Sequence, residues 1–142
     1  MKKQIINKKL ISKSAERTME IARSLALSFT GGETVILIGE LGAGKTVFAK
    51  GIAQGLDISD NIVSPTFMLV REYHGGRLPL YHFDMYRITD EDELTEIGIQ
   101  EYFDSKSIRV IEWNKLKNVS GKIITVKIEA TGDNKREIHI EH

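Results

Sequence analysis

The sequence predicts an α/β fold in three layers, α/β/α, with a mostly parallel centre to its sheet and antiparallel strands at the margins. Two observations support this class. Residues 34–38 (TVILI) form a short apolar run rich in β-branched residues, and a glycine-rich turn and a predicted helix over residues 44–56 follow it directly. A strand that is apolar on both faces is typical of a parallel sheet covered by helices. Strands and helices that alternate along the chain indicate an α/β architecture.

The chain starts with an edge strand and a helix in this prediction. Residues 4–11 mix isoleucine with lysine, which is typical of a strand at the edge of a sheet. Ser14 is a plausible N-cap for a helix that runs to about residue 29. Its apolar residues recur with helical spacing: Met19, Ala22, Leu25, Ala26 and Phe29.

The second half of the chain predicts more strands and one short helix. The strands are residues 67–73, 80–83, 108–111, 123–129 and 137–140. The first two flank a turn with two glycines, which predicts a hairpin, and the last two predict a terminal antiparallel pair. Thr89 or Asp90 is expected to cap a short acidic helix between the strands at 80–83 and 108–111.

Length and composition limit the classes of protein. A chain of 142 residues fits a single domain, residues 1–142, and 41% hydrophobic with 28% charged residues is typical of a globular protein. The absence of cysteine excludes disulfides and thiol chemistry and suits a reducing compartment. No run of 18 apolar residues and no signal peptide is recognisable. We therefore expect a cytoplasmic protein without a membrane association.

The strongest functional signal is a Walker A motif, which has the pattern G-x-x-x-x-G-K-[ST]. It comprises Gly39, Glu40, Leu41, Gly42, Ala43, Gly44, Lys45 and Thr46. A chance match in a chain of this length has a probability of about 1 in 200. Such a loop points successive amide groups at phosphate oxygens, and the next helix offers its N-terminus to the same anion. Lys45 can reach the β- and γ-phosphates, and the Thr46 hydroxyl can bind Mg²⁺. The sequence thus predicts a P-loop NTPase-like fold that binds a nucleoside triphosphate.

Two carboxylates directly follow predicted strands. Asp84 follows residues 80–83, and Glu112 follows residues 108–111. Open α/β sheets bind ligands at the carboxyl ends of their strands, so either residue can hold Mg²⁺ or orient the attacking water. Each can also simply cap a turn, and the sequence leaves open which of the two contacts a metal.

Other candidates are less specific. Ser64, Pro65 and Thr66 lie where P-loop proteins keep a segment that senses the γ-phosphate, although the same residues also suit an ordinary turn. His82, Tyr86, Arg87 and Trp113 flank the two carboxylates in sequence and are candidate contacts for a partner or a lid. A lone histidine on a strand is more often a hydrogen-bonded structural residue than a base.

Charge argues for a protein partner rather than a nucleic acid. Twenty basic and twenty acidic residues give a net charge of zero, whereas nucleic-acid binders usually carry a basic excess. Residues 89–104 contain seven acids and no base. Such a run is usually a solvated surface, and its alternative role is docking of a basic partner.

Four motifs together carry a family resemblance. They are residues 39–46 (GELGAGKT), 64–67 (SPTF), 82–87 (HFDMYR) and 111–113 (IEW), in that order. The chain in this respect resembles the TsaE (formerly YjeE) family, which comprises small P-loop ATPases needed for the bacterial threonylcarbamoyl modification of adenosine 37 in tRNA. The resemblance extends from about residue 12 to residue 113. After Glu-Trp the family often has another acid, where this chain has Asn114 and Lys115.

The resemblance implies a Mg²⁺-dependent ATPase that acts with the TsaD and TsaB proteins. It implies that Lys45 and the P-loop amides hold the phosphates, and that Thr46 and Glu112 hold Mg²⁺. Asp84 is then a catalytic or switch carboxylate, and Thr66 belongs to the switch-like loop. Thr18, on the N-terminal helix, is a candidate contact of the adenine.

Two classes of function remain open at this point. The first is an ATPase of tRNA modification that is slow alone and is stimulated by its partners. The alternative is a small-molecule kinase on a minimal P-loop fold. The sequence contains no arginine-rich lid of the kind such kinases close over their phosphates. A nucleotide-binding protein without hydrolysis is a third, simpler option.

Overall fold

The computed structural model of the chain describes residues 7–65 and 68–142. Its strands are β1 (Asn7–Ser12), β2 (Glu33–Ile38), β3 (Val70–Tyr73), β4 (Leu80–Asp84), β5 (Ile108–Glu112), β6 (Lys122–Ala130) and β7 (Arg136–Glu141). Its helices are α1 (Ala15–Leu27), α2 (Lys45–Gly55) and α3 (Glu91–Glu96), and a 3-10 turn covers Ile99–Tyr102. The strands and α-helices lie within a few residues of the positions that the sequence predicts, whereas the 3-10 turn is not predicted.

The strands form one mixed sheet in the order β1-β7-β6-β2-β5-β4-β3. Strand β2 pairs in parallel with both β5 and β6, and β4 pairs in parallel with β5. Strands β1, β7 and β3 pair antiparallel with their neighbours. The parallel centre and the antiparallel margins confirm the predicted fold class.

Helices cover the two faces of this sheet. Helices α1 and α2 pack together with apolar residues of β2 and β6, including Val35, Leu37 and Val126, in the larger core cluster. On the other face, Phe83 and Ile111 pack with Leu94 of α3 in a second cluster. The arrangement is therefore the predicted α/β/α sandwich. No helix within residues 7–65 and 68–142 is long and apolar enough to cross a bilayer.

The predicted caps and hairpin are confirmed where the chain is described. The Ser14 hydroxyl accepts a hydrogen bond from the amide of Arg17 (3.0 Å), which satisfies one of the free donors at the start of α1. Asp90 caps α3 in the same way through the amide of Asp92 (3.0 Å). Strands β3 and β4 form the predicted hairpin. Residues 4–6 of the predicted edge strand lie outside the described residues.

The location of β6 differs from what its alternating sequence suggests. It pairs antiparallel with β7, as predicted, but its other edge pairs in parallel with β2. It therefore lies inside the sheet rather than at its margin. Residues Ile124, Val126 and Ile128 face α1 and α2, while Lys127 and Glu129 on the other face are exposed. No helix of the described chain packs over that second face of β6, which explains why the strand alternates.

The register of the parallel strands positions the two carboxylates. Asp84 lies directly opposite Glu112, at the carboxyl ends of β4 and β5. Side chains alternate along a strand, so both residues share the face of Leu80 and Val110, which belong to the core under α1 and α2. The two carboxylates are therefore on the same face as the start of α2.

Candidate nucleotide-binding site

The loop between β2 and α2 has a backbone that only glycine supports at several positions. Gly42 and Gly44 adopt left-handed conformations, with φ values of 80° and 108°. A Cβ atom on Gly39 would lie 2.7 Å from the carbonyl oxygen of Ile128, so no other residue fits there without a shift. A Cβ on Gly42 would meet no atom within 4 Å, so the loop borders open space at this point. These features suit the phosphate-binding role that the motif predicts for the loop.

Lys45 begins α2 and is largely buried, with 5% of its surface exposed. Its ammonium nitrogen lies 3.6 Å from the centroid of the Trp113 ring, a close cation–π contact. Burial lowers the pKa of Lys45 below its usual value, and the negative charges of Glu112 and Asp84 partly counteract this effect by raising it. The charges of both carboxylates therefore act on Lys45.

Both carboxylates are nearly inaccessible. Asp84 is 5% exposed and Glu112 is 4% exposed. Oδ1 of Asp84 accepts a hydrogen bond from the amide of Tyr86 (2.9 Å), which starts the turn after β4. Oε2 of Glu112 accepts a hydrogen bond from Nε2 of His82 (2.6 Å). Within the described residues no three His, Asp or Glu side chains converge on one metal position.

His82 does not lie at the surface. Its side chain is fully buried on β4 and contacts Glu112 on β5, so it has no area to offer to a partner or a lid. The other three residues of this set are accessible. Tyr86 is 55% exposed and its ring packs edge-on against Trp113 at 5.2 Å, while Arg87 is exposed and Trp113 is half-buried.

The predicted adenine contact and the predicted switch loop are described only in part. The Thr18 hydroxyl is buried and shares a hydrogen bond of 2.7 Å with that of Ser12. Thr18 also borders a cavity of about 100 Å³ beside Gly44. Ser64 is exposed and Pro65 is buried, whereas Thr66 lies outside the described residues.

Arg136, at the start of β7, is a site residue that the sequence analysis did not identify. Its Nε donates to the carbonyl oxygen of Ala43 (2.8 Å), and Nη2 donates to that of Gly42 (3.3 Å). These two bonds tie the loop to the start of β7 and restrict its backbone. The signal in the sequence is an arginine directly after a predicted turn, and nothing local connects it with a loop some ninety residues earlier.

We expect Arg136→Met to weaken nucleotide binding by about tenfold, because the loop loses two charge-assisted hydrogen bonds. The fold should persist, since methionine preserves the length of the aliphatic stem. Isothermal titration with ADP measures the effect, with Lys135→Met at the exposed neighbouring position as the control. Equal affinities of the two variants would contradict this role of Arg136.

Trp113 is the only tryptophan, so its fluorescence reports the contact with Lys45. We expect Lys45→Leu to increase the emission intensity, because a protonated amine over an indole ring quenches it. The contact itself is of the order of 1 kcal/mol, so the environment of the ring should otherwise change little. Identical emission spectra of wild type and variant would show that the ammonium does not lie over the ring in solution.

Comparison with known proteins agrees with this geometry. A family model described as "Threonylcarbamoyl adenosine biosynthesis protein TsaE" matches residues 12–138. The tRNA threonylcarbamoyladenosine biosynthesis protein TsaE of Bacillus subtilis is 42% identical over 125 residues, which cover 87% of this chain and 78% of that protein. Its counterpart in Treponema pallidum is 38% identical over 132 residues, or 92% of this chain and 97% of that protein.

A solved structure is also similar. The crystal structure of Bacillus subtilis YdiB superposes with a TM-score of 0.80 and 33% identity, over 99% of this chain and 88% of that chain. Fold and loop together define a P-loop nucleotide-binding protein. Within that class, the chain belongs to the TsaE family. The family resemblance of the four motifs is thereby confirmed.

Proposed function

We propose that this chain is a cytoplasmic, Mg²⁺-dependent ATPase that serves the biosynthesis of threonylcarbamoyladenosine in tRNA. One observation carries the proposal. The P-loop lysine begins α2, and two buried carboxylates lie opposite one another at the ends of neighbouring strands, with charges that raise the pKa of this lysine. Phosphoryl transfer to water requires a cation that binds the phosphate oxygens. It also requires carboxylates that bind a metal ion and orient the attacking water.

Each residue of the site has a role in this proposal. The amides of residues 40–44 and the Lys45 ammonium bind the phosphates, with Arg136 fixing the loop from outside. The Thr46 hydroxyl and the carboxylate of Glu112 or Asp84 hold Mg²⁺, and the remaining carboxylate orients the attacking water. Oxygen donors suit Mg²⁺, which usually keeps only one or two carboxylates and completes its shell with phosphates and water. Held there, Mg²⁺ would supply positive charge to the phosphate oxygens.

The nucleotide base and the switch segment complete the proposed site. Thr18 borders the cavity beside Gly44, which supports a contact of this residue with the adenine. Ser64, Pro65 and Thr66 form the segment that responds to the γ-phosphate. A loop that orders around the γ-phosphate and relaxes after hydrolysis converts the reaction into a conformational signal.

Protein partners similar to TsaD and TsaB are the proposed targets of that signal. Tyr86 and Arg87 are exposed next to the carboxylates, and Leu41 at the tip of the loop is 80% exposed. Most acids of residues 89–104 are also exposed, on α3 and the turn after it. These features support docking of a protein, and the zero net charge supports little direct contact with tRNA.

Hydrolysis of ATP by the purified chain, alone and with TsaD- and TsaB-like proteins, tests this function. We expect slow turnover alone, a clear increase with the partners, and loss of both in Lys45→Ala. Rapid turnover without partners would contradict the switch role. Turnover that the partners leave unchanged would contradict the assignment to tRNA modification, and a screen of metabolites as phosphate acceptors would then test kinase activity.

A further inference from the structure

The pair formed by His82 and Glu112 connects the core of the protein with the proposed metal site. Nε2 of His82 lies 2.6 Å from Oε2 of Glu112, and the two side chains are 0% and 5% exposed. His82 is opposite Val110 in the parallel register, two residue pairs before Asp84 and Glu112 and on the same face of the sheet. His82 therefore contacts Glu112 from inside the sheet, on the side away from the carboxyl ends of the strands.

The hydrogen bond defines the orientation of the carboxylate. A carboxylate only accepts hydrogen bonds, so Nε2 of His82 carries the hydrogen and donates this bond to Oε2. This interaction engages one of the two oxygens from inside the protein. The other oxygen is the one that can meet a metal ion or a water molecule at the surface of the sheet.

The presence of this pair in the core is poorly explained by a contribution to the folding stability of the protein. Nδ1 of His82 is buried and has no hydrogen-bond partner among residues 7–65 and 68–142. A buried polar pair that leaves one nitrogen unsatisfied costs folding free energy relative to apolar side chains of similar volume. Leu80 and Val110 beside it show that this part of the core accommodates aliphatic residues. A cost of this kind calls for a functional explanation.

We propose that His82 is a positioning residue that holds the Glu112 carboxylate in the orientation required for metal binding. The inference rests on the proposed function and takes Glu112, rather than Asp84, as the carboxylate that holds the metal. Without the bond, the buried carboxylate can rotate about its last torsion, and the oxygen that faces the metal is no longer fixed. Loss of such a supporting hydrogen bond typically weakens metal binding by 10- to 100-fold.

Two substitutions that differ by one methylene group separate positioning from packing. His82→Gln places an amide nitrogen close to where Nε2 lies, so it can still donate to Glu112. His82→Asn places its amide nitrogen near the position of Nδ1, too short to reach the carboxylate. Phe83→Leu is the packing control, because it changes a fully buried neighbour whose side chain lies on the opposite face of β4.

Binding of Mn²⁺ in the presence of ADP, followed by the electron paramagnetic resonance signal of free Mn²⁺, is a readout that needs no hydrolysis. We expect His82→Asn to raise the dissociation constant of Mn²⁺ by about 10- to 100-fold, and His82→Gln and Phe83→Leu to stay within about threefold of wild type. Binding of ADP in EDTA should be equal in all four proteins, since the phosphate cradle is intact. Thermal unfolding confirms that each variant is folded at the temperature used.

The remaining outcomes overturn the inference in distinguishable ways. If wild type binds Mn²⁺ with ADP and His82→Asn binds it equally well, His82 is structural and the proposed function stands. If His82→Gln is as weak as His82→Asn, the hydrogen bond is not what matters, and the inference fails in the same way. If wild type itself binds no Mn²⁺ with ADP, the proposed metal site is wrong and the inference falls with it.

Discussion

Replacing Glu112 with glutamine is expected to lower ATP hydrolysis by about 100-fold or more while the protein stays folded. The change removes one negative charge at a position that is 4% exposed, within electrostatic range of Lys45. In the proposed site, a metal ion would lose an anionic ligand where little water reaches, so the loss of charge stabilisation would be large. Glutamine keeps the volume, and its carbonyl oxygen can still accept the bond from His82.

Steady-state hydrolysis in the presence of the partner proteins measures this loss, and titration with ADP in EDTA checks that the phosphate cradle is intact. Glu141→Gln is the matched control, because it makes the same chemical change at an exposed position of β7, outside the proposed docking surface. We expect the control to hydrolyse ATP like wild type. Retention of more than half of the wild-type rate by Glu112→Gln would exclude Glu112 from the metal site and leave Asp84 as the candidate.

The sequence predicts those parts of the site whose conformation depends on residues adjacent in the chain. The P-loop requires left-handed backbone at Gly42 and Gly44, and only glycine adopts it without strain, so the requirement is visible in the sequence. The two carboxylates are predictable because each follows an apolar strand, and parallel strands end at one edge of the sheet. Their placement opposite one another in the register follows from the pairing of β4 with β5.

The parts that the sequence does not predict depend on pairings between distant segments. Contact of His82 with Glu112 exists only because β4 and β5 are neighbours, and the sequence does not specify strand order. Arg136 reaches the P-loop because β7 and β6 bring the end of the chain back beside β2. Trp113 adopts a left-handed φ of 55°, unusual for a bulky residue, and thereby lies against Lys45. No local pattern indicates any of these contacts.

Arg109 is a second residue whose role is apparent only from the structure, and its loss is expected to have the largest effect on stability. The side chain is 1% exposed on β5, on the opposite face from Glu112. Its guanidinium donates to the carbonyl oxygens of Asp104 (2.6 Å) and Gly32 (2.9 Å) and to the Thr34 hydroxyl (3.0 Å). It therefore joins the loop before β5 to the loop before β2.

We expect Arg109→Met to lower the free energy of unfolding by about 3 kcal/mol, because buried carbonyl groups lose their donors and each unsatisfied group costs about 1–3 kcal/mol before relaxation. For a domain of this size the melting temperature should fall by roughly 10 °C. Methionine fills similar space and brings no charge, so the loss reports the hydrogen bonds rather than a cavity. Urea unfolding followed by circular dichroism measures it, with Arg23→Met on the exposed side of α1 as the control. A variant within 1 kcal/mol of wild type would show that water replaces the guanidinium, and that β5 carries Glu112 without this anchor.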